Sequence, residues 1–129
     1  MSDPTRDDAA AIAFGKAWAE AWNRRDLEAV LSHFDDDAIF TSPVARRIGF
    51  TDDGIVRGKH ALRRYWRQAL DNNPTLHFEV TAVYRGIGSL TIAFRTQSDI
   101  RRVEVLIFSD GRVTSGYALF LADHKGSGR

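Results

Sequence analysis

The sequence predicts an α+β fold in which one curved antiparallel sheet wraps around three helices. In the first 70 residues, apolar side chains recur at the spacing of amphipathic helices. From Leu76 onward they alternate with polar ones, as in strands with two different faces. Short turn sequences separate the later runs, so consecutive strands should be antiparallel neighbours. Helices gathered at the start and strands at the end are typical of α+β proteins.

Three helices are expected in the first part of the chain. Thr5, with Asp8 three residues later, resembles a capping box and predicts the start of the first helix. The apolar positions of that helix are Phe14, Trp18, Ala21 and Trp22. Asp26 should cap a second helix that runs to Phe34 and stops at residues 35–37. The third helix, residues 59–70, carries an apolar stripe with arginines opposite, and Asn72-Asn73-Pro74 should end it.

The remaining elements are strands and one long loop. A strand is expected at residues 38–42, before Pro43, and residues 44–57 are interpreted as a loop with room for a short hairpin. Four strand runs follow, at residues 76–85, 89–97, 100–109 and 112–122. No linker or repeat interrupts residues 1–122, which we interpret as a single domain, and residues 123–129 are interpreted as a flexible tail.

Composition excludes several classes of function. The chain has 129 residues and no cysteine, which excludes disulfides, thiol catalysis and cysteine-ligated metals. The formal charge is +1, so no overall field favours nucleic acid or an anionic membrane, and we expect neither as a partner. The histidines lack metal-ligand spacing and the glycines lack phosphate-loop spacing, so we expect no metal and no cofactor. Because no long apolar run or leader-like start is present, a cytoplasmic location is expected.

The near-zero charge hides two opposite blocks. Residues 1–40 hold nine acidic and four basic side chains, whereas residues 41–70 hold two acidic and seven basic ones. Mutual neutralisation, within the fold or across a dimer, is the simplest interpretation, and an anion-binding role for the basic block is the alternative.

Three stretches, residues 21–43, 56–66 and 103–120, together resemble the SnoaL-like branch of the nuclear transport factor 2-like (NTF2-like) superfamily, which includes ketosteroid isomerases and polyketide cyclases. The resemblance implies a cystatin-like cone: a strongly bent sheet, closed by the helices, around one apolar cavity. It also implies a homodimer. Since this superfold carries enzymes, binding proteins and assembly modules alike, it specifies the fold more closely than the activity.

The resemblance also marks three positions that carry the chemistry of the ketosteroid isomerases. In those relatives a tyrosine and a late acid donate hydrogen bonds to an oxyanion, and an aspartate is the base. Here the positions hold Trp18, Glu104 and Ser42. Because a serine is no base near neutral pH without an activating partner, the isomerase reaction itself is disfavoured. The acids of epoxide-hydrolysing relatives are also missing between Gly116 and Ala122.

Glu104 is the candidate catalytic residue. Strand alternation places it on one face with Arg102, Leu106 and Phe108, and a carboxyl group in such a stripe must be paired, protonated or functional. In a dry cavity its pKa should rise, whereas pairing with Arg102 should lower the pKa. A structural hydrogen bond to Trp18 or Trp66, or an ion pair across a dimer, is the alternative. The candidate ligand-binding residues are Trp18, Phe40, Ser42, Trp66, Arg102, Leu106 and Phe108.

These observations predict a cavity for a small, mainly apolar or carbonyl-containing molecule. Isomerase, cyclase or lyase chemistry would use Glu104 as acid or base, with Trp18 and Ser42 orienting a carbonyl or hydroxyl group. A non-catalytic binding domain, and a dimeric assembly module whose cavity is filled by aromatic rings, are the alternatives.

Overall fold

The computed structural model describes residues 3–122, so the predicted tail at 123–129 lies outside the described residues. Helices and strands alternate in the first part of the chain, and only strands follow the last helix, as predicted for an α+β fold. The helices are α1 (Asp8–Asn23), α2 (Leu27–Leu31), α3 (Pro43–Arg47) and α4 (Lys59–Asn72). The strands are β1 (Phe34–Thr41), β2 (Ile55–Arg57), β3 (Phe78–Gly86), β4 (Ser89–Thr96), β5 (Arg101–Ser109) and β6 (Arg112–Phe120).

The strands form one curved, unclosed sheet with the order β2-β1-β6-β5-β4-β3. Strands β3 to β6 are joined by tight turns and pair antiparallel, which confirms the expectation for the four late runs. The prediction of a wholly antiparallel sheet is wrong at one pair, because β6 returns beside β1 in the same direction. Parallel neighbours need a long crossover, and here most of the chain, from α3 to β5, lies between the two strands.

The first two helices differ from the prediction at their ends. The N-cap of α1 is Asp7, whose side chain accepts a hydrogen bond from the Ala10 N–H at 2.7 Å, whereas Thr5 bonds to Asp3. Helix α2 ends at Leu31, and Phe34 with residues 35–37 belongs to β1. The bond from the Val113 N–H to the His33 carbonyl draws this segment to β6, so sheet pairing overrides the helical pattern.

The expected loop at residues 44–57 contains two short elements. Ser42 caps α3 by accepting a hydrogen bond from the Val44 N–H at 3.2 Å, and Pro43 occupies the first turn, where its missing N–H costs nothing. Strand β2 then pairs antiparallel with β1, which is the short hairpin that the sequence allowed. Strand β2 is an edge strand of the sheet, next to β1.

The inner face of the sheet packs against α1 and α4 and forms the core. Asn23, at the end of α1, fixes the start of β3 by two hydrogen bonds with the Phe78 backbone, at 2.7 and 2.9 Å. Ion pairs from Arg63 of α4 to Glu28 and from Lys59 to Asp36 join the basic and acidic blocks, which confirms neutralisation within the fold.

Candidate functional site

A cavity of about 200 Å³ lies between the inner face of the sheet and helices α1 and α4. Its apolar wall is largely aromatic and consists of Trp22, Phe40, Val44, Trp66, Ala69, Leu76, Phe78, Ile100 and Phe120. Its polar lining consists of Ser42, Arg47, Tyr65, Asn73, Thr96, Gln97, Ser98, Arg102 and Glu104. The cavity therefore combines an aromatic wall with a small set of polar groups, as ligand sites do.

Glu104 is held on the cavity wall by the middle of the sheet. Its neighbours across the strands are Ile92 on β4 and Ala118 on β6, and only 4% of the residue is exposed. The indole N–H of Trp18 donates a hydrogen bond to Oε2 at 3.1 Å, which confirms the predicted bond between these two residues. Oε1 accepts no hydrogen bond from the described residues. One oxygen of the carboxyl group is thus anchored and the other is left for a ligand.

Burial controls the protonation of Glu104. It raises the pKa of the carboxyl group to about 7, against the opposing effects of the Arg102 charge and the Trp18 hydrogen bond. The alternative in which pairing with Arg102 lowers the pKa is wrong, because no salt bridge joins the two side chains. A carboxyl group that is half ionised near neutral pH can both accept and return a proton.

Arg102 lies on the same face of β5 but is held by aromatic rings. The strand register places Phe94 of β4 and Phe120 of β6 directly beside it. The guanidinium carbon lies 5.3 Å from the centre of the Phe94 ring and 4.6 Å from that of Phe120, within the range of cation–π contacts. Burial lowers the pKa of the guanidinium and the Glu104 charge opposes this. The Nε–H is buried and has no hydrogen-bond partner in the part of the chain that the structure describes.

Ser42 and Tyr65 form a second polar group in the cavity. Their hydroxyl oxygens lie 2.9 Å apart in a buried hydrogen bond, and the Ser42 oxygen also accepts from the Val44 N–H. Burial raises the pKa of Tyr65, so its phenol stays protonated. Two hydroxyl protons are available and the pair uses one, which leaves one for a ligand oxygen.

Most of the lining residues were absent from the predicted set, and three of them bear directly on the chemistry of the cavity. Tyr65 was placed in the apolar stripe of the third helix, and its hydroxyl was the available signal. Trp22 is one of the apolar positions expected for the first helix; it lines the cavity, and its buried indole N–H has no partner among the described residues. Arg47 lies exposed on α3, the helix that the sequence analysis missed, so no signal pointed to it.

The structure brings Phe40, Ser42, Trp66, Arg102 and Glu104 together on the cavity wall. The other three predicted residues, Trp18, Leu106 and Phe108, lie behind the wall and do not line this cavity. The Trp18 ring packs against Phe78 and Phe94, and its N–H is used by Glu104.

Leu106 and Phe108 lie deeper in the core than the cavity. Leu106 is covered where Gly116 lets Phe40 approach the sheet, since a Cβ at Gly116 would lie 2.8 Å from a Phe40 ring carbon and 3.3 Å from Leu106. Phe108 packs edge-to-face on Phe14, with ring centres 5.5 Å apart. Aromatic and aliphatic packing therefore fills the closed end of the cone.

Two further properties concern residues 3–122 as a whole. None of the helices there is long and apolar enough to cross a membrane. No cluster of three or more acidic or histidine side chains in the same range is arranged to hold a metal ion.

Comparison with known proteins identifies the fold. The SnoaL-like domain family matches residues 16–116. A SnoaL-like protein of unknown function from Burkholderia thailandensis E264 has 37% sequence identity and a TM-score of 0.84, covering 90% of this chain and 98% of its own. No functionally curated protein matches the sequence.

More distant structures share the fold alone. An NTF2-like protein of unknown function from Cytophaga hutchinsonii has 15% identity and a TM-score of 0.63, with 93% of this chain and 92% of its own covered. AclR, described as a putative hydroxylase from Streptomyces galilaeus, has 20% identity and a TM-score of 0.68, with 88% and 90% covered. With its curved sheet, N-terminal helices and a family match over most of its length, the chain belongs to the SnoaL-like domain family.

Proposed function

We propose that the protein binds a small carbonyl-containing molecule in the cavity and transfers a proton within it, in a reaction of the isomerase, cyclase or lyase type. The observation that carries this proposal is the Glu104 carboxyl group, which lines the cavity with one oxygen anchored by Trp18 and a pKa of about 7. A general acid–base group works best when its pKa is near the working pH.

The proposed chemistry uses two groups of the cavity. Ionised Glu104 removes a proton from a carbon next to the carbonyl group. The electron pair of the broken C–H bond forms a C=C double bond, and the π electron pair of the carbonyl group moves to its oxygen. The Ser42–Tyr65 hydroxyl pair donates a hydrogen bond to that oxygen, where negative charge develops. Protonated Glu104 then returns the proton to the same or another carbon, so protons and electrons balance without a further reactant.

The volume limits the substrate to a small molecule. A cavity of about 200 Å³ lies below the range of about 300–1,000 Å³ for drug-sized ligands, so one or two rings are the largest ligand we expect. The aromatic wall favours a flat, unsaturated skeleton.

Exchange of carbon-bound protons tests this proposal. β-Tetralone, a two-ring ketone with acidic protons beside its carbonyl group, is dissolved in D2O with catalytic amounts of protein, and the exchange is followed by proton NMR. We expect the wild-type protein to accelerate exchange above the buffer rate and Glu104→Gln to lose this acceleration. Glu20→Gln, which changes an exposed carboxylate on α1, is the matched control and should keep the wild-type rate.

Titration of the same ketone separates the alternatives. If its resonances shift on binding but exchange is not accelerated, the enzyme proposal is wrong and the non-catalytic binding domain replaces it. If wild-type protein neither binds nor accelerates exchange, both cavity functions fail for this class of ligand and the assembly module is favoured.

A second candidate function, assembly of a homodimer through the outer face of the sheet, rests on its exposed apolar side chains. Ile39 is 43% exposed, and Tyr117 and Leu119 are each 45% exposed. The register places Tyr117 beside Val105 and Leu119 beside Val103, so these side chains form one patch. An exposed apolar patch of this kind is typical of a protein–protein interface, and a second copy of the chain supplies a matching surface.

The mass in solution tests the dimer. Light scattering after size-exclusion chromatography at micromolar concentration should give twice the mass of 14.5 kDa, and Leu119→Arg should give the monomer mass. A monomeric wild-type protein would contradict the proposal.

A further inference from the structure

We propose that the ligand of this cavity carries an acidic group, a carboxylate, that binds to Arg102. The inference rests on the proposed ligand-binding function and specifies its ligand class. It starts from a charged side chain that the sequence places on the inner face of the sheet, at a position where the fold supplies no acidic partner.

The donors of Arg102 have no partner within the described residues. Its Nε–H is buried without a hydrogen bond, and no ion pair or hydrogen bond joins its other nitrogens to any residue from 3 to 122. Buried donors are almost always satisfied in native proteins, because an unpaired one loses its water without compensation. The rings of Phe94 and Phe120 hold the cation through their faces but accept no strong hydrogen bond.

The charges of the lining favour an anion. Arg47 and Arg102 line the cavity as cations, and Glu104 is the single carboxyl group among the described lining residues. Burial keeps that carboxyl group protonated in a large fraction of molecules near neutral pH, so it does not neutralise both arginines. An arginine matches a carboxylate geometrically, since two of its N–H groups can bond to the two oxygens.

A second unpaired donor belongs to another residue of the lining. The indole N–H of Trp22 is buried without a partner among residues 3–122, and the Ser42–Tyr65 pair has one hydroxyl proton left. Together with Arg102, these groups offer several hydrogen-bond donors to the acceptor atoms of a ligand. The ligand that complements them is rich in acceptor oxygens, which a purely apolar ligand is not.

Two probes of equal shape test the inference. 2-Naphthoate and 2-naphthamide share the same two rings and differ in that only the first carries a charge. Binding is measured by isothermal titration calorimetry at pH 6, below the pKa of about 7 of Glu104, so that this group is mainly neutral and does not repel the anion. We expect 2-naphthoate to bind about tenfold more tightly or better, as a hydrogen-bonded charge pair should.

Two variants assign the preference to Arg102. Arg102→Met keeps an apolar stem and removes the charge, so it should abolish the preference for 2-naphthoate. Arg101→Met is the matched control, because Arg101 is the adjacent residue of β5 but is exposed on the opposite face, and it should keep the preference.

Each outcome has a defined meaning. If wild-type protein binds 2-naphthamide as tightly as 2-naphthoate, the cavity function stands and the acidic-ligand inference is overturned, whether or not Arg102→Met folds. Retention of the preference in Arg102→Met overturns the assignment to Arg102. If neither probe binds to the wild-type protein, the proposed binding function itself fails, together with the inference.

Discussion

Replacing Glu104 by Gln should remove a pH dependence from the stability of the protein. In the wild-type protein, burial raises the pKa of Glu104 to about 7 from 4.5, its value in a solvated chain. The folded protein therefore binds a proton that the unfolded chain releases between these two pH values. Since the folded state binds more protons in this range, the contribution of Glu104 to stability is greatest below pH 4.5 and is lost as the pH rises from 4.5 to about 7.

The magnitude follows from the difference between the two pKa values. One pKa unit corresponds to about 1.4 kcal/mol, so the free energy of unfolding should fall by about 3 kcal/mol between the acidic and the alkaline limit. This is a large part of the stability of a domain of this size, about 5–15 kcal/mol. The substituted glutamine side chain cannot ionise and can still accept the Trp18 hydrogen bond, so the variant should be more stable than the wild type at pH 8.

His33, which is half-buried, also makes the stability depend on pH. Burial lowers the pKa of His33, so protonation of this residue destabilises the folded state as the pH falls. Its effect has the opposite sign to that of Glu104. Because both proteins contain His33, its contribution cancels when the curve of Glu104→Gln is subtracted from that of the wild type.

Urea unfolding at half-unit intervals from pH 4.5 to 8.5, followed by tryptophan fluorescence, measures the difference. The stability of wild type relative to Glu104→Gln should decline with a midpoint between pH 4.5 and about 7 and become level above pH 7. Glu20→Gln, with its exposed side chain, should follow the wild-type curve. Parallel curves for wild type and Glu104→Gln over the whole range would refute the reasoning.

Three further substitutions test the neighbours of Glu104. Trp18→Phe removes the hydrogen bond that lowers the pKa of Glu104. The pH midpoint of the catalysed β-tetralone exchange should therefore move upward, and a downward shift would contradict this role of the hydrogen bond. Tyr65→Phe should slow the catalysed exchange by about 100-fold, as loss of an oxyanion donor does, and cost only about 1 kcal/mol in urea unfolding. Gly116→Ala brings a Cβ to 2.8 Å from the Phe40 ring and should cost about 1–3 kcal/mol in unfolding, whereas Ser115→Ala, whose side chain lies on the outer face, should cost less.

The shared face of Arg102 and Glu104 on β5 was predictable, because the backbone of a strand points alternate side chains to opposite sides of the sheet. Arg102 and Glu104 had to lie on the same side, and the structure places both on the cavity wall. The partners across the strands depend on register, which a single sequence does not determine. For this reason the sequence left open whether Arg102 pairs with Glu104, and the structure places Phe94 and Phe120 beside Arg102 instead.

The two tryptophans of α1 illustrate a different limit. Trp18 and Trp22 are one helical turn apart and both are buried, so the helical pattern treats them alike. Which ring meets the cavity depends on the position of the helix along the sheet. The Asn23 bonds to Phe78 fix that position, and they join residues far apart in the chain. The structure also differs from the prediction at α3. Ser42-Pro43 starts this short helix, whereas the sequence pattern predicts the end of a strand there.

Arg102 and Glu104 interact through their charges, and this coupling connects the ligand to the acid–base group. The groups that face Glu104 are Arg102 on its own strand, Trp18 of α1 and Tyr65 of α4. Of these only Arg102 carries a charge that favours the ionised form of Glu104. A carboxylate bound to Arg102 would neutralise that charge and bring a second anion near Glu104, so both effects would raise the pKa of Glu104 further. An acidic ligand would therefore enter together with a proton, and by reciprocity its affinity would fall as the pH rises above 7. A neutral ketone would leave the pKa near 7, so Glu104 should act as a base at a lower pH with a neutral ketone than with a ligand that carries a carboxylate.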